Sequence, residues 1–250
     1  MAYPNYIDAS PWESKPKQIA RELTIVDSYK KVFGKKIPKD KQYWTMCGAH
    51  FDKDELPLSG EFGQVVKQKL INPSQFYGVD QEESIINKNR KLFPNTKWMH
   101  GDFVNTMLSH SLSGNFNPAI INYDGVLQPI YGSRYLKKIM KLLDWNFDKE
   151  VLLVANFVLK NPYRNDDKLS FSVNDTIKEL AKIYFFPDHW SIIPEAYVYS
   201  GHSTKSNSQM GVVMFIKQKH NINNIQITPN RRLGKGDKYG WSHIRTKRNS

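Results

Sequence analysis

The chain holds a single cysteine, Cys47, among 250 residues. One thiol excludes an internal disulfide and a cysteine-built zinc site, and no disulfide-linked partner is expected. No stretch approaches the roughly 18 uninterrupted apolar residues needed to cross a bilayer as a helix. The start, Met1-Ala2-Tyr3-Pro4-Asn5-Tyr6, lacks the basic-then-apolar order of a secretory signal. Together these absences point to a reducing, cytoplasmic setting without a membrane partner.

Acids are scarce at both ends. Residues 219–250 hold eight Lys/Arg against Asp237 alone, a net of +7, and residues 1–41 hold nine against five acids, a net of +4. Of the total of +12, only +1 is left for residues 42–218. A neutral centre with basic flanks suits a polyanionic partner, RNA or DNA, gripped by the flanks. Candidate contacts in the last stretch are Arg231, Arg232, Lys235, Lys238, Arg245, Lys247 and Arg248 as phosphate neutralisers, with Tyr239 and Trp241 as base-stacking surfaces. The competing reading is a solvated basic tail.

Three apolar runs in the centre end on aspartate: Phe76 to Asp80, Trp98 to Asp102 and Ala119 to Asp124. The aspartates are 22 positions apart, about one strand plus one crossover helix. Such alternation predicts a doubly wound, mostly parallel sheet with its ligand crevice beyond the carboxyl ends of the strands. Further strands are expected over Gln42 to Cys47 and Glu150 to Leu159. Helices are expected over Lys17 to Phe33, with a stripe of Ile19, Leu23, Val26 and Phe33, and over Gly60 to Ile71, Glu82 to Phe93, Val104 to Ser109, Tyr131 to Leu143 and Val173 to Tyr184. Two extended runs, Trp190 to Ser200 and Gln209 to Gln218, flank a polar turn and predict a closing antiparallel hairpin. The organisation read is a basic helical extension over 1–41, a seven-stranded domain over 42–218 and a basic, flexible tail over 219–250.

Five β/α units closed by a hairpin resemble the class I S-adenosylmethionine-dependent methyltransferase fold, over about residues 42–218. The resemblance implies S-adenosylmethionine as cofactor and methyl transfer as the reaction. It implies Cys47, Gly48 and Gly60 in the loop beneath the methionine part, and Asp80 on the ribose hydroxyls. Asp80 follows Gly60 by 20 positions, the spacing of a ribose acid after phosphate-turn glycines in dinucleotide sites; a helix N-cap is its alternative. Asp102 and Phe103 fall to the adenine, with ordinary core packing open for the ring. Asp124 falls on the acceptor side. Lys160, at the end of the fifth strand, can act as a base beside it, or be a solvated lysine.

The chain departs from that family in two places. Its first loop has Cys47-Gly48, ten further residues, then Ser59-Gly60-Glu61-Phe62-Gly63, in place of a compact glycine motif. After the fourth strand it has Asn122-Tyr123-Asp124-Gly125, with no Pro-Pro, and Gln209 stands where ribose-methylating relatives carry an acid. A binding protein that keeps the fold without the chemistry is the alternative reading. His50 and His100 have no metal-ligand spacing, and Cys47 reads as a small buried residue rather than a nucleophile.

Overall fold

A computed structural model describes residues 20–34, 36–48, 60–125, 129–145, 150–160, 190–192, 195–200, 209–217 and 242–245. The expected helix over Val173 to Tyr184, the loop with His50, and every candidate nucleic-acid contact except Arg245 lie outside those residues. The strands are β1 (Gln42–Met46), β2 (Phe76–Asp80), β3 (Lys97–His100), β4 (Pro118–Asp124), β5 (Val151–Lys160), β6 (Trp190–Ile192), β7 (Glu195–Ser200), β8 (Gln209–Lys217) and β9 (Ser242–Arg245). The helices are α1 (Ser28–Phe33), α2 (Gly60–Lys67), α3 (Glu83–Leu92), α4 (Phe103–Leu112) and α5 (Pro129–Asp144). Strand order is β3-β2-β1-β4-β5-β8-β7-β9, with β6 also on β8. The seven expected strands appear as β1–β5, the run of β6 and β7, and β8, and β9 is a short addition. The expected run Trp190 to Ser200 is described as β6 and β7.

The chain divides into two compact units, Met1–Ile121 and Asn122–Ser250. In the first, β1, β2 and β3 pair in parallel, Thr45 opposite Gly78 and Gly78 opposite Trp98. An aromatic cluster joins the helices to this sheet: Phe62 of α2 lies 5.2 Å from Phe76 and 5.0 Å from Phe93, and Phe76 lies 5.4 Å from Trp98. The Trp98 ring occupies the space over Gly78, where an added Cβ would stand 2.5 Å from Cε3 and Cζ3. The second unit is antiparallel around β8, which pairs with β5 on one side and with β6 and β7 on the other. Strand β9, from within the basic tail, lies antiparallel on β7 with Arg245 opposite Glu195.

The N-terminal helix differs in phase from its sequence pattern. It contains a π-helical segment, Glu22–Asp27, leading into α1. The wider turn lets Ser28 Oγ donate to Leu23 O, five residues back, at 2.8 Å. The buried face becomes Thr24, Ile25, Val26, Ser28 and Tyr29, while Leu23 and Phe33 are only partly covered. A stripe drawn at 3.6 residues per turn loses its phase across such a segment.

Because Trp98 and Gly78 cannot separate without breaking the cluster, Gly78→Ala is expected to destabilise the fold by about 1–3 kcal/mol through overpacking. Urea unfolding would measure it; a loss below about 0.5 kcal/mol would show that the indole moves aside freely.

Candidate functional site

The carboxyl ends of β1, β2 and β3 bring together most of the residues singled out for a cofactor. Cys47 N–H donates to Val79 O at 3.0 Å and Gly101 N–H to Asp80 O at 2.8 Å, which ties these three ends together. At Gly48 an added Cβ would meet no atom of the described residues within 4 Å. Its carbonyl is oriented by Asn89 of α3, whose Nδ2 donates to it at 3.1 Å. Asn89 is fully buried. Gly60 opens α2 at φ +26°, inside the left-handed region that glycine adopts without strain.

Asp80 ends β2 half-buried, and it is not the helix N-cap. Glu82 holds that position and offers no side-chain cap. Asp80 Oδ1 instead accepts from Glu82 N at 2.8 Å, the i to i+2 geometry of an Asx turn. Burial pushes its carboxyl from the ordinary 3.8 up to about 6. The Glu82 charge adds to the rise, while N–H donors of Glu82 and Gln81 and the nearby His100 oppose it. His100 Nε2 lies 3.0 Å from Gln81 O; a carbonyl only accepts, so Nε2 carries the hydrogen. Cys47 sits behind this acid, and burial, then the charges of Asp80 and Glu61, hold its thiol well above the ordinary range. A buried thiol held protonated is not a nucleophile.

Asp102 caps α4, its Oδ1 accepting from Asn105 N at 2.9 Å. Phe103 follows as the first residue of α4 and is buried, 3% exposed.

Sequence reasoning missed Glu61. It lies in the first turn of α2 and is buried, 4% exposed. Tyr43 Oη donates to its Oε1 at 2.6 Å, and Arg21 Nε stands 3.7 Å from its Oε2. No local pattern distinguishes this glutamate from a solvated first-turn acid, because its partners come from β1 and the N-terminal helix.

In the second unit, Asp124 ends β4 partly exposed, and Lys160 ends β5 opposite Gln209 of β8. Of the tail residues singled out, Arg245 belongs to β9, while Arg231, Arg232, Lys235, Lys238, Trp241, Lys247 and Arg248 lie outside the described residues.

No family model matches the chain, and no curated protein matches it. Among solved structures it is similar to the plantazolicin methyltransferase BamL in complex with a triazolic desmethylPZN analog and SAH. That likeness has a TM-score of 0.51 at 11% identity and covers 82% of this chain and 86% of that one. It is also similar to a putative O-methyltransferase from Klebsiella pneumoniae, with a TM-score of 0.47 at 10% identity, covering 85% and 84% of the two chains. At these identities the likeness is one of fold. The chain has the Rossmann-like fold of class I S-adenosylmethionine-dependent methyltransferases.

The raised pKa of Asp80 makes a stability prediction. The folded chain holds this proton more tightly than the unfolded one, so the carboxyl's favourable contribution is complete below about pH 3.8 and is lost as pH rises through about 6. Asp80→Asn should therefore match the parent near pH 4 and be more stable above pH 6. The full displacement is worth about 3 kcal/mol, and water at the partly exposed carboxylate reduces this to about 1–2 kcal/mol. Urea melts from pH 4 to 8 would test it, and a pH-independent difference would refute it.

Proposed function

We propose that this chain binds S-adenosylmethionine and transfers its methyl group to a nucleic acid. The observation that carries the cofactor half is Asp80, an acid kept at the end of β2 although its ionised form is disfavoured there. An acid whose ionised form burial disfavours, at a strand end of this fold, is a candidate for binding a ligand. The residues fit the ribose end of the cofactor. Asp80 Oδ1 has one backbone donor, and a carboxylate has acceptor capacity for both hydroxyls of a ribose as well. Among the described residues nothing crowds Gly48, so backbone can approach the methionine part there. The SAH in the BamL complex supports the same cofactor class.

When bound, S-adenosylmethionine supplies an electrophilic sulfonium methyl. The chain's own contribution is to hold and align. Asp80 would accept from the ribose hydroxyls, Asp102 and Phe103 would serve the adenine end, and Cys47, Gly48 and Gly60 would lie in the loop at the methionine end. Asp124 accepts from the acceptor group, and Lys160 takes its proton where the nucleophile is a hydroxyl. The acceptor class rests on charge: the net +7 of residues 219–250 and +4 of residues 1–41 favour a phosphate backbone.

Calorimetry with S-adenosylhomocysteine tests the cofactor half. Binding is expected, and Asp80→Ala should weaken it by about 1.5–3 kcal/mol through loss of charge-assisted hydrogen bonds. No heat at millimolar ligand would sink the enzyme reading in favour of a binding protein that keeps the fold alone. With labelled S-adenosylmethionine and pooled RNA or DNA, Asp124→Ala should abolish turnover and leave S-adenosylhomocysteine affinity unchanged. Equal loss of cofactor affinity would move Asp124 out of the acceptor role.

The acceptor half has its own measurement. Neutralising Arg231, Arg232, Lys235 and Lys238 to glutamine leaves the β9 sequence in place. The log–log salt dependence of oligonucleotide binding should flatten by about 3, at roughly 0.7–0.9 for each phosphate no longer neutralised. An unchanged slope would exclude these four cations from the interface.

A further inference from the structure

Two amides are buried in the most apolar pair of strands. Asn122 of β4 is 1% exposed and Asn156 of β5 is 7% exposed, and Asn156 Nδ2 donates to Asn122 Oδ1 at 3.1 Å. Their neighbours on the two strands are Ile120, Ile121, Tyr123, Val154, Ala155 and Phe157. The next residues of the same strands also meet, Tyr123 and Phe157 with ring centroids 6.5 Å apart. The two pairs advance together, 122 with 156 and 123 with 157, as in a parallel pairing.

A purely aliphatic pair of strands has little to choose between registers, because one branched side chain packs much like the next. The two asparagines remove that freedom. A slip by one residue would set Asn122 beside Ala155 or Phe157, and a slip by two beside Val154 or Val158. Each leaves buried amides without this mutual bond, at about 1–3 kcal/mol apiece. Beyond the pair, Asp124 follows Asn122 by two residues, and Lys160 follows Asn156 by four. The ladder between β5 and β8 shifts register between Val158 and Lys160, an irregularity of the kind that re-aims a strand end. On the other face, Tyr123 stacks on Tyr135 at 6.3 Å, and its ring lies 2.6 Å from where a Cβ on Gly125 would stand. Asp124 thus follows directly on a packed tyrosine.

We propose that Asn122 and Asn156 are positioning residues whose amide bond sets the register of β4 on β5 and thereby the level of Asp124 relative to Lys160. The consequence for methyl transfer rests on the function proposed above; the geometry does not, and it can be read without turnover.

The test uses the full chain with Cys47→Ala, so that Asp124→Cys and Lys160→Cys are its only thiols. Cross-linking with bismaleimides of graded length should show one dominant spacer when the asparagines are present. The double variant Asn122→Leu/Asn156→Leu removes both polar partners and is expected to unfold no more easily than its parent. Its spacer profile should flatten at least threefold. If that variant does not fold, Asn156→Ala breaks the same bond at smaller volume and is read the same way. An unchanged profile in a folded variant overturns the proposal. In the chain that keeps Cys47, Asp124 and Lys160, the Asn122→Leu/Asn156→Leu change should lower kcat at least tenfold with S-adenosylhomocysteine affinity intact, and full kcat would equally overturn the proposal. Failure to bind S-adenosylhomocysteine would count against the proposed function alone, since the spacer profile is decided without it.

Discussion

The first unit depends on a close approach that only a glycine allows. Trp98 lies across Gly78 with no room for a Cβ, and the Cys47 sulfur would stand 3.1 Å from the same added atom. The indole is therefore wedged between β2 and the helices above it, with Phe62, Phe76 and Phe93 around its edges. Its Nε1 is satisfied by Phe93 O at 3.1 Å, and Arg90 of α3 donates to Trp98 O through both Nε and Nη2. Ring, amine and backbone are all fixed, so β2 and β3 cannot slide past one another. Asp80 lies two residues beyond Gly78, and its level follows from that wedge.

The buried acids of this unit have been treated in opposite ways, which separates fold from site. Glu61 has a phenol at 2.6 Å and a guanidinium at 3.7 Å, partners that compensate a buried carboxylate. Asp80 receives backbone N–H bonds from its own turn and sits near His100, and burial still outweighs them. An acid left in that condition by its own fold is suited to donors brought by a ligand.

Much of the architecture was legible because it is periodic. The aspartate spacing placed β2 and β4 with their carboxyl ends on Asp80 and Asp124, and the final hairpin appeared as β6, β7 and β8. Strand β3 instead stops at His100, and Asp102 caps the following helix rather than ending the strand. The N-terminal stripe failed because a π-helical segment alters helical phase without a local signature. The site was legible only in part, for a related reason. Asp80 and Asp102 could be located from the apolar runs they close, but whether each serves the backbone depends on one hydrogen bond, to Glu82 N for one and Asn105 N for the other. Glu61, Asn89 and the Asn122–Asn156 bond involve partners 18 to 41 residues away, and no short window of sequence contains them.

The distribution of satisfied polar groups argues for the same end of the first unit. At the amino end of β1, Gln42 is nearly buried and makes four bonds: Oε1 accepts from Trp44 Nε1 at 2.8 Å and Asn117 N at 2.9 Å. Its Nε2 donates to Tyr77 Oη at 3.2 Å and Asn115 O at 2.8 Å. A side-chain amide offers two donors and two lone pairs, so every position is used by the fold. Gln75 likewise closes a capping box and donates to Pro38 O and Lys41 O. These two amides hold loops to the sheet. At the carboxyl ends the pattern differs: among the described residues nothing crowds Gly48, and burial disfavours the ionised form of Asp80. The contrast between the fully bonded side chain of Gln42 at one end and a carboxyl whose ionised form burial disfavours at the other is what favours the carboxyl ends as the place for the proposed site.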